Sequence, residues 1–315
     1  MRPLRSGHAA LLHDVLSGLS RRPKRIPCKY LYDRRGSALF EMITRQPEYY
    51  LTRAESAILS RHADEIAGAA GEGCTIVELG AGDSEKSLLL VAALRRPRAY
   101  FALDIDEAAL ARGAERLRRH RPELPLEGLH VDFTRVAELP PEVPRDRRLG
   151  YLAGSTIGNY EPAEACDLLR GLRRLLHEDG MLVAGVDLVK PLHLLLPAYD
   201  DAVGVTAAFN LNLLERLNRE LEADFDVAQF YHRARFDATK SRIEMHAVSR
   251  RAQTVTIAEV PFTFAAGEYI HTENCHKYRL GEFHLLARAG GWEPTASWVD
   301  ETQAYAVVFL RAARA

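Results

Sequence analysis

An α/β fold, a doubly wound parallel sheet with a second, smaller α+β domain, is predicted by three observations. Short β-branched runs alternate with helical periods between residues 54 and 187, the first run ends in Gly80-Ala81-Gly82, and the alternation stops after Lys190-Pro191. Strict strand–helix alternation means parallel βαβ units, and a glycine turn between the first strand and its helix is where such sheets take ligands.

Each element follows in order. Residues 54–67 place Ala54, Ile58, Leu59 and Ile66 at helical spacing; 74–79 is a short buried strand; 84–94 is a helix, 99–103 a strand, 107–120 a helix and 129–131 a strand. Strand 149–153, helix 162–177 and strand 181–187 complete the alternation. Beyond Pro191, 207–221 reads as one amphipathic helix, and 228–237, 242–250 and 254–264 are strand-like. Helix 280–289 is stopped by Gly290-Gly291, and strands 295–299 and 305–310 complete a sheet begun far upstream. The polar, aromatic text KYLYDRRGSALFEMITRQPEYYLTRAE, with Gly36 and Pro47, reads as short helices and loops. The expected domains are therefore 54–190 plus 277–315 for the sheet, and 1–53 plus 191–276 for a substrate domain.

The 315 residues allow two domains, and 47% hydrophobic with 27% charged residues is the composition of a globular chain rather than a disordered one. With 42 basic and 43 acidic residues the net charge is −1, which argues against a partner met through a broad charged face, such as nucleic acid or an anionic membrane. The basic cluster Arg21, Arg22, Lys24 and Arg25 reads as a solvated turn. Four dispersed cysteines (28, 74, 166, 275) fit neither a disulfide framework nor paired zinc ligands, and no apolar run approaches the ~20 residues that cross a bilayer. Cytoplasmic location follows as the expectation. His271 and His276 flank Cys275 at a spacing unlike HExxH or paired Cys/His ligands, so separate surface or site-rim histidines are expected and no metal site, with metal binding by Cys275, His271 and His276 as the alternative.

The glycine turn narrows the ligand. IVELGAGDSEKSLLL lacks GxGxxG and places acids where a pyrophosphate would sit, so a neutral or cationic nucleoside suits it better than a dinucleotide. Asp104 stands at the end of the next strand, where a carboxylate can accept from a ribose diol. With Glu78 and with Asp132-Phe133 after the third strand, this looks like the S-adenosylmethionine site of class I methyltransferases.

Longer motifs are more specific. KYLYDRRGSALFEMITRQPEYYLTRAE, GSTIGNY, YDDAVGVTAAFNLNLL and RIEMHAVS strongly resemble the histidine Nα-methyltransferase family of ergothioneine biosynthesis, from Lys29 to Phe309. The resemblance implies a Rossmann-like class I methyltransferase that trimethylates the α-amine of L-histidine to hercynine, yields S-adenosylhomocysteine, and works as a monomer on histidine and its mono- and dimethylated forms. It assigns Tyr49, Asn159 and Tyr199 to the amine and carboxylate, with Tyr32 expected beside them around the amine, and Met245, Glu273 and Cys275 to the imidazole. Gly80, Lys86, Asp104, Asp132, Phe133 and Gly154 go to the cofactor. One departure stands out: the family's histidine enzymes usually read Glu-Ile-Ser where this chain has Glu273-Asn274-Cys275, and a thiol donates and accepts more weakly than a hydroxyl. Leu51 also stands where Pro is common. Methylation of another aromatic amino acid such as tryptophan, and a non-catalytic binding module, are the alternatives.

Each residue also has a plainer reading. Tyr32, Tyr49 and Tyr50 suit core aromatics, Asn159 suits a helix cap before Pro162, Glu273 a loop acid, and Lys86 a solvated helix charge.

Overall fold

The computed structural model describes residues 6–82 and 85–313. The chain divides into two units, Met1–Tyr49 with Pro191–Cys275 and Tyr50–Lys190 with His276–Ala315. The crossings fall at 49/50 and 275/276 rather than at 53/54 and 276/277. The helix expected to start at residue 54 starts at Tyr50, whose hydroxyl is bonded to Asp187, 2.8–2.9 Å away, and so belongs with the sheet.

In chain order the elements are α1 (Ser6–Leu19), β1 (Lys24–Arg25), α2 (Arg34–Thr44), α3 (Tyr50–Ala70), β2 (Thr75–Leu79), α4 (Glu85–Ala93), β3 (Ala99–Asp104), α5 (Glu107–His120) and β4 (Leu126–His130). Then follow β5 (Arg148–Leu152), α6 (Pro162–Leu176), β6 (Met181–Asp187), α7 (Leu192–Tyr199), α8 (Val205–Leu221), β7 (Phe230–Asp237), β8 (Arg242–Ser249), β9 (Gln253–Ile257), β10 (Val260–Phe264), β11 (Tyr269–His276), α9 (Leu280–Ala289), β12 (Trp292–Val299) and β13 (Tyr305–Ala312).

The unit holding α3 to β6 is built on a seven-stranded sheet of order β12-β13-β6-β5-β2-β3-β4. Strands β6 to β4 in that order are parallel, and at one edge β13 runs antiparallel to β6 and β12 antiparallel to β13. The strand order reverses between β2 and β5, so their carboxyl ends open a crevice at a switch point. β2, β5 and β6 are buried along their whole length, as central parallel strands covered on both faces must be, whereas edge strand β4 is largely exposed. Leu79, Leu103, Leu152, Leu169, Phe283 and Trp292 lie in its core, and the Trp292 indole donates to the Leu169 carbonyl at 2.9 Å. Pro162 opens α6, and Glu161 caps it through a capping box with Glu164, so Asn159 is not the cap.

The other unit carries a four-stranded sheet, β1-β11-β8-β7, packed on α8. Three of its features depart from the sequence-based expectation. Residues 254–264 form not one strand but a hairpin of β9 and β10, because Ala258 and Glu259 both take positive φ (46° and 68°) and make a two-residue turn of the type that matches strand twist. Lys24 is no solvated charge: it lies in β1, parallel to β11, is 1% exposed, pairs with Glu268 and sits 4.7 Å over the Phe264 ring. Strand β11 and helix α7 have no counterpart in the expected elements. Among the described residues no helix is long and apolar enough to cross a membrane.

Candidate active site

At the carboxyl end of β2 the chain turns through Gly80 and Gly82, both at positive φ (72° and 53°), a conformation that excludes most side chains. A Cβ on Gly80 would stand 3.4 Å from Cε1 of Phe133, so the bare backbone lets that ring lie close to the turn. The Gly82 amide donates to Oδ2 of Asp104 at 2.8 Å and the Asp106 amide to Oδ1 at 2.9 Å. Burial pushes the Asp104 carboxyl above its ordinary value, against those two amides. Each oxygen keeps a lone pair for a further donor. His130 Nε2 holds the Ile105 carbonyl at 2.9 Å, and Asp132 caps the turn after β4 by accepting from the Thr134 amide at 3.1 Å. Asp83 and Ser84, expected at the start of α4, lie outside the described residues.

Lys86 is not a solvated charge. Its ammonium pairs with Glu55, a fully buried acid of α3 that also accepts from the Gly154 amide (3.0 and 3.2 Å) and from the Tyr151 hydroxyl (3.2 Å). Gly185 of β6 makes room for this carboxylate, because a Cβ there would overlap both Glu55 and the Tyr305 hydroxyl. Beside the turn, Glu78 is buried and accepts from the Ser87 hydroxyl. Sequence reasoning missed Glu55, although a signal existed: it interrupts the apolar stripe Leu51, Ile58, Leu59, and an acid inside a buried stripe needs a partner.

Tyr50, read as a core aromatic, belongs to a polar network. Its hydroxyl donates to Asp187 and accepts from Lys190 at 2.7 Å, while Lys277 approaches Asp187 at 2.8 Å. Desolvation lowers the Lys190 ammonium to about 8, although the Asp187 charge opposes it. The Asp187 amide donates to Ser155 Oγ at 2.9 Å, next to the short turn Thr156–Asn159 in which Asn159 is half-buried.

In the unit of Met1–Tyr49 and Pro191–Cys275, the tyrosines are brought together. Tyr32 meets Phe40 and Phe209 edge-on (5.5 and 5.4 Å), Phe40 meets Tyr49 at 6.1 Å, and Tyr49 meets Tyr199 at 6.4 Å. Burial, then the Glu273 charge and then Tyr49, Cys28 and Cys275, hold the Tyr32 phenol well above its ordinary value, so it stays a donor at neutral pH. Glu273 is a strand residue of β11, 8% exposed, and the Cys275 thiol donates to its Oε2 at 3.7 Å. Met245 on β8 is buried, and its carbonyl accepts from Thr272 Oγ1 at 2.9 Å. Asn210 of α8 ties these pieces together. It accepts from Thr272 (2.6 Å) and donates to the His246 carbonyl (3.0 Å) and to His232 Nδ1 (2.9 Å), whose Nε2–H then donates to the Tyr199 carbonyl (2.8 Å). Nothing in the local text singles out Asn210, which acts through three segments distant in sequence.

A glycine turn after β2, an acid at the end of β3 and a further glycine after β5, all at the switch point of this sheet, define an S-adenosylmethionine-dependent methyltransferase of class I. The bare backbone at Gly80 and the remaining acceptor capacity of Asp104 fit that cofactor. The chain belongs to the family of S-adenosylmethionine-dependent, histidine-specific methyltransferases, whose model matches residues 11–312. It is 41% identical to a histidine N-alpha-methyltransferase of Mycobacterium tuberculosis, covering 94% of this chain and 93% of that one. It is 30% identical to ergothioneine biosynthesis protein 1 of Neurospora crassa (88% and 32% covered) and 28% identical to an L-tryptophan methyltransferase of Psilocybe serbica (95% and 92% covered).

Proposed function

We propose that this chain moves three methyl groups in succession from S-adenosylmethionine to the α-amine of L-histidine, giving hercynine, the first step of ergothioneine biosynthesis. The observation that carries the reading is Glu273, a buried carboxylate on β11 beside the protonated Tyr32 phenol, which suits an imidazole N–H. The 41% identity to a histidine N-alpha-methyltransferase supports it.

The cofactor supplies an electrophilic methyl on a sulfonium, and the chain's task is to present a neutral amine in line with it. In this proposal Tyr32, Tyr49, Asn159 and Tyr199 hold the amine and carboxylate. None is a permanent anion, so the amine is not locked as ammonium by a salt bridge. After the third transfer the nitrogen can no longer donate, and the aromatic faces of Tyr49 and Tyr199 suit a quaternary cation. Met245 packs on the imidazole, and Glu273 with Cys275 takes its N–H. Gly80, Lys86, Asp104, Asp132, Phe133 and Gly154 serve the cofactor, Lys86 through its pairing with Glu55. The enzyme works as a cytoplasmic monomer on small molecules; light scattering on a size-exclusion column checks its mass.

The deciding experiment incubates the protein with S-adenosylmethionine and each of a panel of amino acids, tryptophan included, and reads gains of one, two or three methyl groups by mass spectrometry. Trimethylated histidine is expected. Product from tryptophan alone would move the substrate assignment, and full histidine turnover by a Tyr49→Phe, Asn159→Ala double variant would sink the assigned amine site.

A further inference from the structure

The strand that carries Met245 has a second face, and on it lies a cluster that the methyl-transfer chemistry does not use. Side chains alternate across a strand, so Glu244 and His246 of β8 point away from Met245. Oε2 of Glu244 lies 3.1 Å from Nε2 of His246 and 3.9 Å from Nδ1 of His271 on β11. One ligand atom from each of the three residues falls within 4.8 Å of the others.

The hydrogen bonds around the cluster sort its lone pairs. Arg242 occupies Oε1 of Glu244, with Nε at 2.9 Å and Nη2 at 2.6 Å, leaving Oε2 to the imidazoles. Nε2 of His271 lies 2.8 Å from Oδ1 of Asn274, and its Nδ1 turns to Oε2 of Glu244. The 3.9 Å between Nδ1 and Oε2 is longer than a direct N–H···O bond. It is near the separation of two ligands on one ion, roughly 3.3–3.6 Å for tetrahedral bonds of about 2.0–2.2 Å. Tyr269 stacks on His246 at 4.0 Å and 14°, fixing its ring plane. Glu244 and His246 are buried, while His271 keeps a 15% exposed side chain through which an ion can enter.

We propose that Glu244, His246 and His271 bind one divalent transition-metal ion of the zinc type, with water in the fourth position. Two imidazoles and one carboxylate are a borderline donor set that suits such an ion better than magnesium or calcium. Asn274 behind His271 and Arg242 behind Glu244 are the outer partners that orient such ligands. One group opposes binding: Arg233 Nη2 lies 3.3 Å from Nδ1 of His246, and coordination through Nε2 puts the ring proton on Nδ1. The guanidinium must then swing aside, and it already lies 5.7 Å over the Tyr269 ring. Arg233 therefore tunes affinity downward. A bound ion would clamp β8 to β11 from the face opposite Met245.

The test titrates the tag-free full chain with Co²⁺ and follows the visible bands of four-coordinate cobalt, then displaces it with Zn²⁺. One Co²⁺ per chain is expected in the parent, with Zn²⁺ raising the thermal midpoint. His271→Ala, a change at the exposed edge, should weaken binding at least about 10-fold, the scale on which even outer partners act. Arg233→Gln should tighten it, and the double change Cys28→Ser with Cys275→Ser should leave it intact. Absence of cobalt bands in the parent, equal binding by His271→Ala, or loss of binding only in the cysteine variant would each overturn the proposal. Should Glu244→Gln fold poorly, His271→Ala, checked for native circular dichroism, still decides.

Discussion

The two units position the residues we propose for ligand binding in different ways. In the seven-stranded unit, Gly80, Asp104, Asp132 and Gly154 stand at or just beyond strand ends, where parallel topology alone brings them to one edge. In the other unit, Met245 and Glu273 stand within strands and Tyr32, Tyr49 and Tyr199 come from three separated loops and helices; they meet only because Asn210 and the aromatic contacts fix β8, β11 and α8 together. A site at strand ends is a property of topology, and one on strand faces is a property of register. The first tolerates much variation in side chains. The second rests on single residues, such as Cys275, whose thiol lies 3.7 Å from Glu273 Oε2.

Removal of Glu55 would break this contrast most severely, by making the strand-end site depend on one side chain. Glu55→Ala leaves the part-buried Lys86 ammonium and Gly154 amide without their acceptor, and a loss of about 3 kcal/mol of stability is expected in urea unfolding, together with weaker S-adenosylmethionine binding by calorimetry. Next comes Lys190. Its ammonium is lowered from 10.5 to about 8, so between those values the unfolded chain binds more protons than the folded one. Stability from this group therefore rises as pH climbs from about 8 towards 10.5 and is a cost below 8, by at most about 3 kcal/mol at 1.4 kcal/mol per unit. Lys190→Met should flatten that rise in unfolding curves taken across the window.

On the other side of the comparison, Glu273→Gln keeps shape and removes charge. The expected fall in kcat/KM for histidine is on the order of 10- to 100-fold, the scale of a charged hydrogen bond, with S-adenosylmethionine affinity unchanged. An equal fall in cofactor affinity would show that the substitution disturbs more than the amino-acid residues. The smallest effect belongs to Asp33, which caps α2 through the Gly36 amide (2.7 Å) and accepts from Asn212 (2.7 Å). Asp33→Ala should cost about 1–2 kcal/mol in the same unfolding assay.

The same contrast explains what could be read beforehand. Helix α5 and strand β6 fall where periodicity puts them, at 107–120 and 181–187, because both are long, regular and bounded by clear signals. The glycine turn and Asp104 were legible because strand ends are marked by composition. Strand β11 was not: EYIHTENCHKY mixes polar and apolar residues, and its pairing partners lie at both β1 and β8, far away in sequence. Lys24 looked solvated because its partners, Glu268 and Phe264, cannot be seen from its neighbours. The hairpin at Ala258-Glu259 lacks the Asn-Gly or Gly residues that usually announce positive φ. The amino-acid residues were assigned by family motif, since no local pattern marks them.

The interleaving of the two units along the chain bears on how the protein is made. Lys24 and Arg25 need Ile270 and His271 as strand partners, and β6 needs β13 along its outer edge. Emerging from the ribosome, the early segments of each unit must wait, with edges unpaired, while most of the chain is synthesised. Closure of such distant pairings is slow and leaves partly formed sheets open to aggregation. Production at low temperature or with chaperones should therefore raise the soluble yield, and fragments cut at residue 190 should not fold by themselves.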